Sequence, residues 1–300
     1  MSTTSFGRRT LLRSGAVAAA AAGAGGIVAA PAAASGGRHR VPADRISIQL
    51  YTVRDALSAD PAGTLAALAD IGYTRVELAG TAGLTPAAFR ALLDANGIRA
   101  TSGHFGIPQP FDAAAWQATL ADARTLGCRY VVHPFFGVGP NGPIRDAAVW
   151  RAFAQDLNRA GALARVAGFR FGYHNHHFEF LPLSDSSGRT AFDLLTATAD
   201  PRLVHLELDL YWSWRGAADP VDVIRAHRGR VLQFHCKDMN IDSGFADLGT
   251  GLIDFRRIFA QTTVAEYIVE RDDAGIPPRA PADALDTAAV GYRFLRTIRF

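Results

Sequence analysis

Within Tyr173-His174-Asn175-His176-His177-Phe178-Glu179-Phe180, eight positions hold three of the nine histidines, an amide and a carboxylate. Imidazole nitrogens and carboxylate oxygens are the ligands that first-row divalent cations take. Asp209, His235 and Glu270 repeat the theme later, each at the end of a short β-rich run. Such groups at four strand ends predict one metal site assembled by the fold. Its ligands are Asp209, His235, Glu270 and one histidine of the first cluster, His174 or His176, which share strand parity. His174 lies one pleat deeper and is placed slightly ahead, leaving His176 for a catalytic role.

Period-two alternation sorts the neighbours. In 204–210 the even positions are aliphatic, so His205, Glu207 and Asp209 share the other, inward face. The same parity turns Gln233, His235 and Lys237 inward and Cys236 outward, and puts Ile268 and Glu270 on one face. Glu77, His104, His133 and Glu207 also close strands, and are candidate substrate contacts or orienters of the ligands. His205 sits deeper and reads as core; His39 and His227 read as surface. Lys237 is the only lysine beside thirty arginines. A compact ammonium there fits a holder of oxyanions or a proton donor with a movable pKa, and its bland alternative is a local pair with Asp238. Trp212 and Trp214 follow Asp209, and Trp212 is a candidate aromatic face for a sugar.

Positioning these groups takes a particular series of elements. Strand-like runs at 46–52, 74–78, 100–104, 130–133, 169–174, 204–209, 231–235 and 267–270 alternate with amphipathic segments at 61–71, 86–96, 113–126, 147–167, 191–199, 220–227, 255–261 and 281–298. Asp60-Pro61, Thr85-Pro86 and Asp219-Pro220 supply an N-cap followed by proline at the first helical position. Gly72, Gly97, Gly127 and Gly168 follow helix ends, as a C′ residue does. Eight strands alternating with eight helices predict an α/β fold, a closed (β/α)8 TIM barrel, whose active site lies at the C-terminal strand ends. An open doubly wound sheet with a dinucleotide lacks its Gly-x-Gly-x-x-Gly turn in this chain.

The first stretch stands apart. Arg8-Arg9-Thr10-Leu11-Leu12-Arg13, an Ala/Gly-rich apolar run and Pro31-Ala32-Ala33-Ala34 predict a cleavable twin-arginine export signal over 1–34, then a linker at 35–44 and the barrel at 45–300. The implied partner is the twin-arginine machinery, and the implied location is periplasmic or extracellular. The three signal arginines account for the net charge of +3. The remainder balances 28 basic against 28 acidic residues, which argues against nucleic-acid binding. Cys128 and Cys236 lie in apolar strand-like contexts and read as two buried thiols rather than a disulfide.

Several motifs occur in order: Gln49-Leu50-Tyr51-Thr52-Val53-Arg54-Asp55, Val76-Glu77-Leu78-Ala79-Gly80, Tyr173-His174-Asn175-His176, Leu208-Asp209-Leu210-Tyr211-Trp212, His235-Cys236-Lys237-Asp238, Gly249-Thr250-Gly251-Leu252-Ile253-Asp254-Phe255 and Val269-Glu270-Arg271-Asp272. From about Ile46 onward the chain closely resembles the sugar phosphate isomerase/epimerase family, with its xylose-isomerase-like barrel. The resemblance implies one divalent metal, with Mn2+ ahead of Zn2+, Co2+ or Mg2+, held by one residue from each of strands five to eight. In sugar epimerases of this superfamily the strand-five ligand is a glutamate that doubles as a base. A histidine takes that place in this chain, which leaves Glu270 as the one evident carboxylate base.

The expected activity is a metal-dependent isomerase or epimerase acting on a carbohydrate or keto-sugar through an enediolate, with Glu270, Lys237 and His176 as the catalytic groups. A lyase or hydratase of 3-keto-glycosides shares the first proton abstraction and needs only one base. Export argues against a sugar phosphate as substrate. An endonuclease-IV-like phosphoesterase and a non-catalytic sugar-binding protein are the remaining alternatives.

Overall fold

The computed structural model describes residues 37–300. The expected export signal lies outside the described residues. Eight parallel strands close into a barrel: β1 (Ile46–Gln49), β2 (Arg75–Leu78), β3 (Arg99–His104), β4 (Tyr130–His133), β5 (Arg170–His174), β6 (Val204–Asp209), β7 (Val231–Cys236) and β8 (Glu266–Val269). Each pairs with its neighbours in sequence, and β8 pairs back onto β1 with Ile46 opposite Tyr267. Among the described residues ten helices flank or follow them: α1 (Arg54–Ala59), α2 (Pro61–Ile71), α3 (Pro86–Ala95), α4 (Ala113–Leu126), α5 (Ala147–Val166), α6 (Ala191–Thr198), α7 (Leu210–Arg215), α8 (Pro220–Ala226), α9 (Phe255–Phe259) and α10 (Asp283–Thr297).

The caps lie where the sequence puts them. Asp60, Thr85 and Asp219 side chains accept from the first-turn N–H groups of α2, α3 and α8, each with proline in the first turn. Gly72 and Gly127 end α2 and α4 at φ 117° and 87°, left-handed values that favour glycine.

Aliphatic and aromatic strand residues such as Ile48, Val76, Leu208, Phe234 and Tyr267 join the hydrophobic layer under the helices. The barrel interior is polar instead. Gln49 Nε2 donates to Glu77 Oε1, Ser102 Oγ donates to Glu77 Oε2, Gln233 Nε2 donates to Ser102 Oγ, and His205 Nε2 meets Gln233 Oε1 at 2.9 Å. His205 is thus interior, in line with its parity. It fits because β5 carries Gly172 opposite it: a Cβ there would stand 2.4 Å from His205 Nε2. Cys128 and Cys236 are both free and buried.

Three expectations change. The first strand stops at Gln49 rather than Thr52, because the Gln49 side chain accepts from Tyr51 N–H and starts a 3-10 turn over Leu50–Val53 that leads into α1. Glu270 lies one residue past β8. The stretch taken as linker is tied down from His39: its N–H and C=O pair with Phe300, Val41 is buried, and Arg45 Nη1 donates to Val264 C=O.

Candidate metal centre and active-site cavity

A cavity of about 470 Å³ opens at the C-terminal mouth of the barrel. Its lining includes Tyr51, His104, Phe135, His174, His176, Lys237, Glu270 and Asp272. Four strand ends deliver His174, Asp209, His235 and Glu270 so that one donor atom from each lies within 4.8 Å of the others. A second, overlapping set of His104, His174, Glu207 and His235 meets the same limit.

The two sets share His174 and His235 because each ring faces both ways. His174 Nδ1 lies 3.1 Å from Glu207 Oε1, while Nε2 lies 3.9 Å from Asp209 Oδ2. His235 Nδ1 meets Glu270 Oε2 at 2.7 Å, and Nε2 meets Glu77 Oε1 at 2.6 Å.

The donor chemistry suits a cation. Burial, with the nearby His235, pulls His174 down to about 3, so the ring is neutral with a lone pair to give. Burial alone would lower His235 too, yet the carboxylates of Glu207, Glu270 and Glu77 hold it well above its ordinary value. Burial lifts Asp209 to about 6 against the pull of Lys237. One Asp209 oxygen accepts from Trp212 N–H; the other, Oδ2, is buried without a hydrogen bond, and the Lys237 ammonium 3.3 Å away is an ion pair only. Glu207 Oε2 is likewise buried and unpartnered. Buried carboxylate oxygens left open beside neutral imidazole fit a divalent cation.

Lys237 is 1 % exposed and contacts Glu270 Oε2 and Asp272 Oδ1, each at 2.9 Å. Burial works against its charge, but Asp209, Glu270 and Asp272 hold it well above its ordinary value. Lys237 is therefore a fixed ammonium rather than the expected group with a movable pKa. Its alternative partner, Asp238, is occupied elsewhere: it accepts from the N–H groups of Met239, Gly249, Gly251 and Ile253. Those contacts fold the segment after β7, and they explain Gly251 of the 249–255 motif, since a Cβ there would sit 2.4 Å from Asp238 Oδ1.

The remaining candidates separate. His104 lines the cavity, with Nε2 2.8 Å from Glu207 Oε1. Glu77 and Glu207 are fully buried beneath the histidines: Glu77 meets His235, and Glu207 meets His104 and His174 through Oε1 with Oε2 left to the second donor set. His176 also lines the cavity, with Nδ1 unpartnered. His133 is a correction: Nδ1 accepts from Ile107 N–H and Nε2 meets Phe135 C=O at 2.9 Å, which spends the ring on loop backbone. Trp212 is another. It packs against His176 and His177 with the Lys237 ammonium 5.2 Å from its ring centre, while Tyr51 and Phe135 supply the cavity's aromatic faces. Sequence reasoning missed those two and Asp272, although Asp272 shares the parity that singled out Glu270.

Among curated proteins, the inosose dehydratase of Clostridium tetani is 27% identical over 135 residues, covering 39% of this chain and 44% of that protein. The rhizopine catabolism protein MocC of Rhizobium meliloti is 25% identical over 194 residues, covering 59% and 57%. The chain thus spans about half the length of the curated relatives it matches. A sugar phosphate isomerase/epimerase structure from Parabacteroides distasonis superposes with a TM-score of 0.72 at 23% identity, over 88% of this chain and 97% of that one. The model of the family described as xylose isomerase-like TIM barrel matches residues 65–285. That span runs from α2 into α10 and contains every residue of both donor sets, so the chain belongs to the xylose isomerase-like TIM barrel family.

Proposed function

We propose that this protein is a divalent-metal-dependent lyase that removes the proton α to the carbonyl of a keto-sugar or keto-cyclitol and eliminates water. The observation that carries the reading is the contact between Glu270 and Lys237 in the cavity beside the His174, Asp209 and His235 donors. Bound there, a divalent ion would polarise the substrate's carbonyl oxygen. Glu270 takes the α-proton. Lys237, a fixed positive charge, stabilises the developing oxyanion. The same carboxyl then returns its proton to the hydroxyl leaving the β-carbon, so C–H and C–O bonds break, a C=C bond forms and water departs. One base suffices, which accords with histidine at the strand-five position and with the name of the dehydratase relative.

Isomerisation or epimerisation is the second reading, favoured by the unpartnered Nδ1 of His176, a second base in the same cavity. In both readings the leader at 1–34 directs the folded protein through the twin-arginine machinery to a non-phosphorylated substrate outside the cytoplasm. The test follows solvent deuterium into a panel of keto-inositols, 3-keto-glycosides, ketoses and aldoses with Mn2+, Zn2+, Co2+ or Mg2+ supplied. Deuterium at the α-carbon with a new vinylic signal is expected, slowed about 10²- to 10⁴-fold in Glu270→Gln. Exchange without a vinylic product moves the assignment to the second reading; no exchange with any pair sinks both.

A further inference from the structure

A second cavity, of about 410 Å³, lies at the opposite, N-terminal end of the barrel. Its walls come from the end of α5, the start of β5 and the turns before β6 and β7, with His205 at its inner side. Four lining residues are arginines, Arg165, Arg170, Arg202 and Arg230, and none is acidic.

Arg202 is neutralised by Asp200 at 2.7 Å. Arg230 is only 8% exposed, and its guanidinium donates to three neutral carbonyls, those of Val204, Thr196 and Ala199. Those bonds use three of its five N–H groups. The two acceptors at the end of α6 offset part of its charge through the helix dipole, and Asp200, paired with Arg202, supports it only from beyond ion-pair distance. Burial accordingly draws the guanidinium down to about 10. A buried cation without a directly paired counter-ion is costly, and an incoming anion relieves that cost. Arg165 and Arg170 are exposed on the cavity wall and make no ion pair among the described residues.

His205, 6% exposed, closes the inner side of the hollow. Gln233 spends its amide nitrogen on Ser102, so its oxygen faces His205 Nε2, which must carry the hydrogen. Nδ1 is buried on the side of the Phe171 carbonyl, so the ring forms a wall of the hollow without offering it a free acceptor. The hollow thus offers guanidinium donors and no carboxylate, which matches an oxyanion.

We infer that this cavity binds a small organic oxyanion, its phosphate or carboxylate group held by Arg165, Arg170 and Arg230. The site is remote from the catalytic mouth and shares no lining residue with it.

Calorimetric titration of the full-length protein at constant ionic strength, with chloride as background, tests the inference. The probes are glycerol 3-phosphate and malate, with glycerol as the uncharged control. Saturable binding of at least one oxyanion is expected, none of glycerol, and a drop in affinity of tenfold or more in Arg165→Ala/Arg170→Ala. Both positions are exposed, so that variant keeps the fold. The stronger of the two probes tells which oxyanion the site takes. Absence of saturable binding by both, or equal binding by the double variant, overturns the assignment; the latter would place the oxyanion at the opposite mouth.

Discussion

Lys237 owes its properties to three carboxylates, Asp209, Glu270 and Asp272, that hold its charge inside a cavity wall. The ammonium would also compete with a bound metal ion for Asp209 and Glu270, since like charges a few ångströms apart repel by several kcal/mol at an effective dielectric near 20. Lys237→Met therefore divides two properties that a merely structural lysine would lose together. Metal affinity by chelator competition rises about tenfold or more, while α-proton exchange falls by at least about 10²-fold. A variant that loses metal binding along with exchange would contradict a role for the ammonium in stabilising the oxyanion. Much of this site was legible from residue type and parity: Asp209, His235, Glu270 and Lys237 all fall where alternation puts them, around the same mouth. His133 and Trp212 were misplaced because their partners, a carbonyl two residues on and a pair of stacked histidines, depend on loop paths that no periodicity encodes.

At the level of elements, β5 and β6 show how a polar barrel interior constrains sequence. Gly172 sits opposite His205, and the imidazole fills the space a side chain on β5 would take. His205 has little freedom to retreat, being hydrogen-bonded to Gln233 and packed edge-on to Tyr130. Gly172→Ala is expected to destabilise the protein by about 1–3 kcal/mol in chemical denaturation, the usual cost of overpacking. Gly172→Ala combined with His205→Ala should recover part of that loss, and a neutral single variant would show that the ring moves freely. The order of strands and helices was plain from capping residues and hydrophobic period. The early end of β1 was not, because Gln49 caps the following turn from within what reads as a continuous β-rich run. The anchored stretch from His39 was equally hidden, since its partner Phe300 lies at the far end of the described chain.

The whole molecule is polarised along the barrel axis. Arg45, Arg75, Arg99, Arg129, Arg170 and Arg230 begin or immediately precede six of the eight strands, whereas carboxylates gather at the other end around the donor sets. Such a distribution draws cations to the C-terminal mouth and anions to the opposite face, although residues 35–300 carry no formal net charge. Glu266, at the start of β8, is a fully buried carboxylate on the arginine side. Both its oxygens are buried without a hydrogen bond, and Arg75 stands 3.7 Å away. Burial, reinforced by Glu77 and only partly opposed by the neighbouring Thr101 hydroxyl and by Arg75, raises the carboxyl from 4.5 to about 8. Below about pH 4.5 the folded and unfolded chains both keep this proton, so it has no effect on stability. Between there and about pH 8 the unfolded chain releases a proton that the folded chain retains, and stability falls as pH rises; above that range the penalty is complete. Glu266→Gln removes the titration while adding a pH-independent cost for its buried amide. Denaturation of both proteins at pH 4.5, 6, 7 and 8.5 should therefore show the variant gaining on the parent by up to about 1.4 kcal/mol per pH unit across the window. The comparison cancels the titrations of the buried histidines and of the site carboxylates, which both proteins share. A stability difference that stays flat with pH would mean that Arg75 or water holds Glu266 ionised in the folded protein.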